Sequence, residues 1–137
     1  MCKGIERRFA CAIVAGISAV LGLAAIAPPA YAVKAFYAEL EKKYVKPKST
    51  NQNDVALAIA FDQARCTICH PRDDKHALTQ YGGHVSGRLS KYDKGDKKKI
   101  QEALEQVGGL RSDFQDPKSP TYNELFRQGK LPPIPTR

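Results

Sequence analysis

The sequence predicts an all-α fold, and three observations support this. Apolar residues recur at helical spacing in several segments of the chain. Those segments are bounded by residues that commonly start or stop helices. No segment alternates apolar and polar residues over the length of a strand. We therefore expect four to five short helices joined by polar loops.

The first helix is predicted over residues 33–45. Glu39 and Lys43 are spaced to form an ion pair on its exposed side, and Pro47 prevents its continuation. Its apolar face is formed by three residues spaced four apart: Phe36, Leu40 and Tyr44.

The second helix is predicted to begin near Asn53 and Asp54, because both side chains are good N-caps. It continues through seven consecutive apolar residues, 55–61, towards Cys66. A helix with no polar face over two turns is expected to be buried on most sides.

Three further helical patterns follow. The first is interrupted by the pair Gly82-Gly83 and is marked by five residues at helical spacing: Leu78, Tyr81, Val85, Leu89 and Tyr92. The second covers residues 100–107 and ends at Gly108-Gly109. Ser119 and Pro120 predict the start of a last helix that extends to Gly129.

The N-terminal residues predict a secretory signal peptide over residues 1–32. A basic start is followed by an uncharged apolar run over residues 9–27, and Ala30-Tyr31-Ala32 supplies the small residues that a signal peptidase reads. Cleavage would fall before Val33 and leave one domain, residues 33–137. The alternative is an uncleaved membrane anchor, because the apolar run is close to the length that spans a bilayer.

Cleavage would change the cysteine count and the charge. Cys2 and Cys11 would be removed, so Cys66 and Cys69 alone would remain. Small exported domains usually carry several disulfides, and two cysteines this close in sequence cannot replace them. Residues 1–32 hold three of the 22 basic and one of the 14 acidic side chains, so the exported part would have 19 basic and 13 acidic ones, a net charge of +6.

The segment Cys66-Thr67-Ile68-Cys69-His70 allows three chemical interpretations. A structural zinc site needs four ligands, and this chain has no second cysteine pair to complete one. A thioredoxin-like dithiol lies at the start of a helix after a strand, whereas this pair lies at the end of a predicted helix. The third interpretation is the attachment sequence of a c-type haem.

The haem interpretation gives each residue a role. The two thiols would add to the two vinyl groups of the porphyrin, and His70 would bind the iron. Attachment takes place outside the cytoplasm on an unfolded chain, which agrees with the predicted signal peptide. A bulky apolar cofactor would also supplement a thin helical core.

Residues 53–71 resemble the corresponding part of small secreted monohaem c-type cytochromes. The helix leading into Cys66 looks like the helix before the haem motif in class I cytochromes c. The resemblance implies one covalent haem c on Cys66 and Cys69, His70 as the proximal iron ligand, and electron transfer as the function. It also implies a cytochrome c-like fold with the helices packed around the haem.

The sixth iron ligand differs from the usual class I pattern. The only methionine is Met1, in the predicted signal peptide, so this chain cannot provide a His/Met iron. A second histidine, another side chain such as a lysine, or an open position remain. Among the histidines we favour His84, because it lies 14 residues after His70 and follows two glycines that would allow a close approach to the porphyrin.

The sequence thus predicts an exported, periplasmic electron carrier or cytochrome subunit rather than an enzyme, soluble once the signal is removed. The alternative is a five-coordinate haem protein that binds a small ligand such as nitric oxide or peroxide. The positive charge favours a redox partner with an acidic docking surface. No nucleic-acid-binding motif is present, and the membrane would be contacted only through an uncleaved signal segment.

Overall fold

The computed structural model describes residues 33–134. Within this range it has no strand, one isolated bridge between Arg111 and Thr121, and five α-helices. The all-α prediction is therefore confirmed for this part of the chain. The predicted signal peptide lies outside the described residues. The helices are α1 (Lys34–Tyr44), α2 (Gln52–Ala64), α3 (Gln80–Ser86), α4 (Lys97–Gly108) and α5 (Tyr122–Arg127).

Helices α1 and α4 pack against each other, and both agree with the sequence prediction. α4 buries one face and ends at Gly109, as its glycine pair predicts. In α1, Leu40 is buried in the core while Phe36 and Tyr44 are half-buried beside it. The face of α4 that covers this part of the core consists of Ile100, Ala103, Leu104 and Val107.

The predicted ion pair between Glu39 and Lys43 is wrong. Glu39 is buried, and its carboxylate accepts a hydrogen bond of 2.8 Å from the side-chain amide of Gln101. Lys43 instead forms an ion pair with Glu105 of α4. Both side chains therefore bind residues of α4 rather than each other. The spacing of residues within α1 could not indicate this, because the sequence does not show which helix packs against α1.

Helix α2 begins two residues earlier than expected. The side chain of Asn51 is the N-cap and accepts hydrogen bonds from the backbone N–H groups of Asn53 and Asp54. The prediction that residues 55–61 are buried on most sides is wrong. Leu57 and Phe61 are fully buried, whereas Val55 is 44 % and Ile59 53 % exposed.

Helix α3 is shorter than the pattern from Leu78 to Tyr92 indicates. It includes Gly82 and Gly83 without interruption and ends at Ser86. A 3₁₀ helix, Lys91–Gly95, follows, and Tyr92 within it is exposed. The apolar spacing from Leu78 to Tyr92 therefore extends over one short helix, a turn and a 3₁₀ helix.

Helix α5 begins after Thr121 rather than after Ser119. The Thr121 hydroxyl accepts from the N–H of Glu124, and the Glu124 carboxylate accepts from the N–H of Thr121, which is a capping box. Ser119 is used elsewhere, since its hydroxyl bonds to the backbone of Asp113.

The core is centred on Phe126 of α5. Its ring lies 4.2 Å from that of Tyr44 and 5.9 Å from those of Phe61 and Tyr81, measured between ring centroids. Aromatic side chains from four helices thus meet at one point. No helix within residues 33–134 is long and apolar enough to span a bilayer.

Candidate functional site

A cavity of about 920 Å³ lies between α1, the Cys66–His70 segment and α3. Its volume is in the upper part of the range usual for ligand pockets. Both cysteines and His70 lie on its wall. The apolar and aromatic part of the wall comprises Phe36, Tyr37, Leu78, Val85, Leu89 and Tyr92.

The two cysteines are placed by a sharp end to α2. Arg65 adopts φ 46° and ψ −117°, a conformation that glycine prefers. A 3₁₀ helix, Arg65–Ile68, then leads directly to Cys69. Side chains three residues apart on a 3₁₀ helix lie on the same side, so Cys66 and Cys69 both line the cavity.

His70 is 6 % exposed, and one of its ring nitrogens has a fixed partner. Its Nδ1 lies 2.8 Å from the carbonyl oxygen of Ala77. Because a carbonyl oxygen can only accept, Nδ1 carries a proton, and in the neutral ring the lone pair is therefore on Nε2. A hydrogen bond from Nδ1 to a backbone carbonyl is the usual arrangement for a histidine that binds a metal through Nε2.

Thr79 connects the motif to α3, and the sequence analysis did not identify it. Its hydroxyl donates to the carbonyl of Ile68 at 2.7 Å and accepts from the N–H of Gly82 at 3.0 Å. Its own N–H donates to the carbonyl of Cys69 at 2.9 Å. Thr79 is therefore both the N-cap of α3 and the residue that holds α3 against the two cysteines. Threonine is a preferred N-cap residue, so its cap on α3 could have been predicted. Its hydrogen bonds to Ile68 and Cys69 could not, because they depend on how the intervening loop folds.

Gly82 allows this close approach. A Cβ at Gly82 would lie 2.2 Å from the carbonyl oxygen of Cys69, whereas a Cβ at Gly83 would meet nothing within 4 Å. The sequence predicts that the glycine pair allows a close approach to a porphyrin. In the structure, Gly82 contacts the backbone of the motif itself.

The thiol of Cys69 is poorly suited to dithiol redox chemistry. Burial, and secondarily the nearby Cys66, raises the pKa of the Cys69 thiol to about 12. Reactive thiols of oxidoreductases have lowered pKa values and lie at helix N-termini. This motif follows the C-terminus of α2, where the helix dipole opposes a thiolate.

Charged side chains lie around the cavity. The cations Lys34, Arg65 and Lys91 and the acids Glu41 and Asp62 are all on its wall. Arg65 donates to the backbone carbonyl of Asp62 at 3.1 Å and to its carboxylate at 3.2 Å. Three cations against two acids leave the wall with a small excess of positive charge, which is suited to a ligand that carries carboxylates.

His84 is not on the cavity wall. Its ring packs on Phe114 at 4.9 Å and lies 6.0 Å from that of Tyr122, between ring centroids. Its Nε2 is buried without a hydrogen-bond partner. The helix is regular through Gly82 and Gly83, so the two glycines do not turn His84 towards the cavity. The structure thus does not bring His84 together with His70, and the exposed His76 does not line the cavity either.

From the sequence, Phe61 and Tyr81 are candidates to stack on a haem, because both are aromatic and lie in helices beside the motif. In the structure both are fully buried but do not line the cavity. The aromatic residues on its wall are Phe36, Tyr37 and Tyr92. Phe61 and Tyr81 lie in the protein core instead.

Comparison with known proteins finds no significant similarity to a protein-family model, a curated protein or a solved structure. Within residues 33–134, no group of three or more histidine, cysteine, aspartate or glutamate side chains is arranged to hold a metal ion.

Proposed function

We propose that this chain is an exported monohaem c-type cytochrome that acts in electron transfer. One observation carries the proposal: Cys66, Cys69 and His70 lie together on the wall of a largely apolar cavity, and the His70 Nδ1 is bonded to a backbone carbonyl. The three side chains are the set that a c-type haem requires.

The chain's own residues have distinct tasks in this proposal. The thiols of Cys66 and Cys69 would form the thioethers, and the Nε2 of His70 would bind the iron. The carbonyl of Ala77 fixes the orientation of the His70 ring and makes the imidazole a stronger donor. When bound, the haem supplies a one-electron iron centre. The polarity and solvent exposure of the surroundings set the potential of such a centre, and the wall of this cavity is largely apolar.

The surroundings of the cavity suit the carboxylates of a haem. Lys34, Arg65 and Lys91 line the wall and supply positive charge. The net charge of +6 predicted for the exported chain favours a redox partner with an acidic surface. Function as a carrier rather than an enzyme, and location in the periplasm, follow from the same proposal.

A second candidate function is a five-coordinate haem protein that binds nitric oxide or peroxide. One observation favours it: His70 is the one histidine on the cavity wall among the residues that the structure describes. An iron with a single strong protein ligand has a position available for a small molecule.

The test is expression in cells that mature c-type cytochromes, followed by a denaturing gel stained for haem. We expect a stained band for the wild type and none for the double variant Cys66→Ala/Cys69→Ala, because denaturation releases haem that is not covalently bound. The control is His76→Ala, an exposed histidine off the cavity wall, which is expected to stain like the wild type. An unstained wild-type band would refute both candidate functions.

A further inference from the structure

The N-terminal end of α1 lies at the cavity that is lined by Cys66, Cys69 and His70. Val33 is the N-cap of α1, is half-buried and lines the cavity. The predicted signal cleavage falls directly before this residue. Cleavage would convert the backbone nitrogen of Val33 from an amide, which does not bind iron, to a primary amine, which does.

Contacts to two other helices hold this end of α1 in place. The hydroxyl of Tyr37, also on the cavity wall, donates to the carbonyl of Phe61 in α2 at 3.0 Å. Glu39 is bonded to Gln101 of α4, and Leu40 is 1 % exposed. Val33 precedes Tyr37 by four residues, about one helical turn or 6 Å. Val33 is therefore joined directly to a helix that contacts with α2 and α4 hold in place.

Charged groups of both signs lie around this end of α1. The first turn of α1 has no acidic residue and no side-chain cap, and Lys34 directly follows Val33. The acids Glu41 and Asp62 also line the cavity. A neutral nitrogen is the form that can bind a metal ion.

The other amines on the cavity wall are the side chains of Lys34 and Lys91. The described histidines other than His70 are off the wall.

We infer that the α-amino group of Val33, released by signal cleavage, is the second axial ligand of the iron that His70 binds. This inference rests on the proposed haem site and on cleavage before Val33. It assigns the coordination position for which residues 33–137 contain no methionine and the cavity wall has no second histidine.

The experiment compares the matured wild type with a variant that carries Gly-Ser inserted between Ala32 and Val33. The insertion makes the Val33 nitrogen an amide and moves the free amine by up to about 7 Å. Electron paramagnetic resonance reports the spin state of the ferric protein, and intact mass reports the N-terminus. We expect a wild type that begins at Val33 and is low-spin, and an insertion variant that is high-spin and binds carbon monoxide when reduced.

Lys42→Gln, at an exposed lysine of α1 that is off the cavity wall, is the matched control and is expected to remain low-spin with the wild-type g values. Lys34→Gln and Lys91→Gln test the two lysines on the wall as alternative ligands, and a loss of the low-spin signal in either would overturn the inference. Acetylation of the folded protein at neutral pH supplies a second measurement, in which the Val33 amine reacts at least tenfold more slowly in the wild type than the amine of the insertion variant.

The possible failures are distinguishable. A haem-bearing wild type that is high-spin, an insertion variant that remains low-spin, or a mature chain that does not begin at Val33 would each overturn the inference and leave the proposed haem attachment standing. A wild type without haem would instead remove the proposed function, and the inference with it.

Discussion

Thr79 shows how one side chain positions the candidate site. Its hydroxyl and its backbone N–H bond to the carbonyls of Ile68 and Cys69, and the same hydroxyl caps α3. At 2 % exposure it is screened from water, so the loss of these bonds would not be compensated by solvent. The spacing between the cysteines and α3 therefore depends on a residue outside the motif.

Replacing Thr79 by valine is expected to destabilise the protein by about 2 kcal/mol, because it removes a helix cap and leaves the Ile68 carbonyl unpaired. Thr79→Ser keeps the hydroxyl and is expected to cost less than about 1 kcal/mol. Urea denaturation of both variants measures the difference. Equal losses for valine and serine would contradict the assigned hydrogen bonds.

The two neighbouring glycines of α3 are expected to respond in opposite directions to alanine. A Cβ at Gly82 would meet the Cys69 carbonyl oxygen at 2.2 Å, so Gly82→Ala is expected to cost about 2–3 kcal/mol. Gly83 lies in open space within a helix, so Gly83→Ala is expected to stabilise by about 0.5–1 kcal/mol. Denaturant unfolding of both variants measures these changes, and a stable Gly82→Ala protein would exclude the close approach.

His84 makes the stability of the fold depend on pH. Burial, and secondarily the charge of Arg88, lowers the pKa of His84 below its ordinary value. Between the folded and unfolded pKa values the unfolded chain binds more protons, so stability falls as the pH drops below about 6.5.

Replacing His84 by phenylalanine removes this titration and suits the aromatic neighbours Phe114 and Tyr122. We expect the urea midpoint to fall less between pH 7.5 and 5.5 in His84→Phe than in the wild type. The other titrating groups are shared by both proteins, so parallel pH profiles would show that His84 does not titrate as described.

At the scale of elements, α2 illustrates the limit of a hydrophobic pattern. Its seven consecutive apolar residues predict burial on most sides, yet only Leu57 and Phe61 of that run are fully buried. A run of this kind contains no periodicity that could indicate which face is covered. That information lies in the packing of α2 against α5 and the aromatic core.

The one-sided burial of α2 predicts different costs for two similar substitutions. Leu57 is 1 % exposed, so Leu57→Ala is expected to cost about 3 kcal/mol. Ile59 is 53 % exposed, so Ile59→Ala is expected to change stability by no more than about 0.5 kcal/mol. Thermal or urea unfolding of both variants distinguishes these values. Comparable losses at both positions would mean that a further surface covers Ile59.

Helices α1 and α4 could be predicted from the sequence because their apolar residues recur every three to four positions and their ends carry clear stop signals. The pattern from Leu78 to Tyr92 failed because short turns can repeat the spacing of a helix by coincidence. The start of α5 was placed at Ser119, since the sequence does not distinguish a cap from a serine bonded within the preceding loop.

At the scale of the whole molecule, the local part of the candidate site could be predicted and the distant part could not. Cys66, Cys69 and His70 lie within five residues of one another. One turn of 3₁₀ helix is therefore enough to bring all three to the same cavity wall. The contributions of Ala77, Thr79 and Val33 depend on how separate elements pack. His84 remains a predicted iron ligand from sequence spacing, but its position beside Phe114 does not support that role.

Covalent haem on the two cysteines is the central claim of this account. The most direct measurement is mass spectrometry of the tryptic peptide Cys66–Arg72 from protein matured in cells that attach c-type haem, because Arg65 and Arg72 provide the cleavage sites. We predict that this peptide carries the added mass of one haem and has no free thiol. A peptide of unmodified mass with two free or disulfide-bonded cysteines would contradict the account.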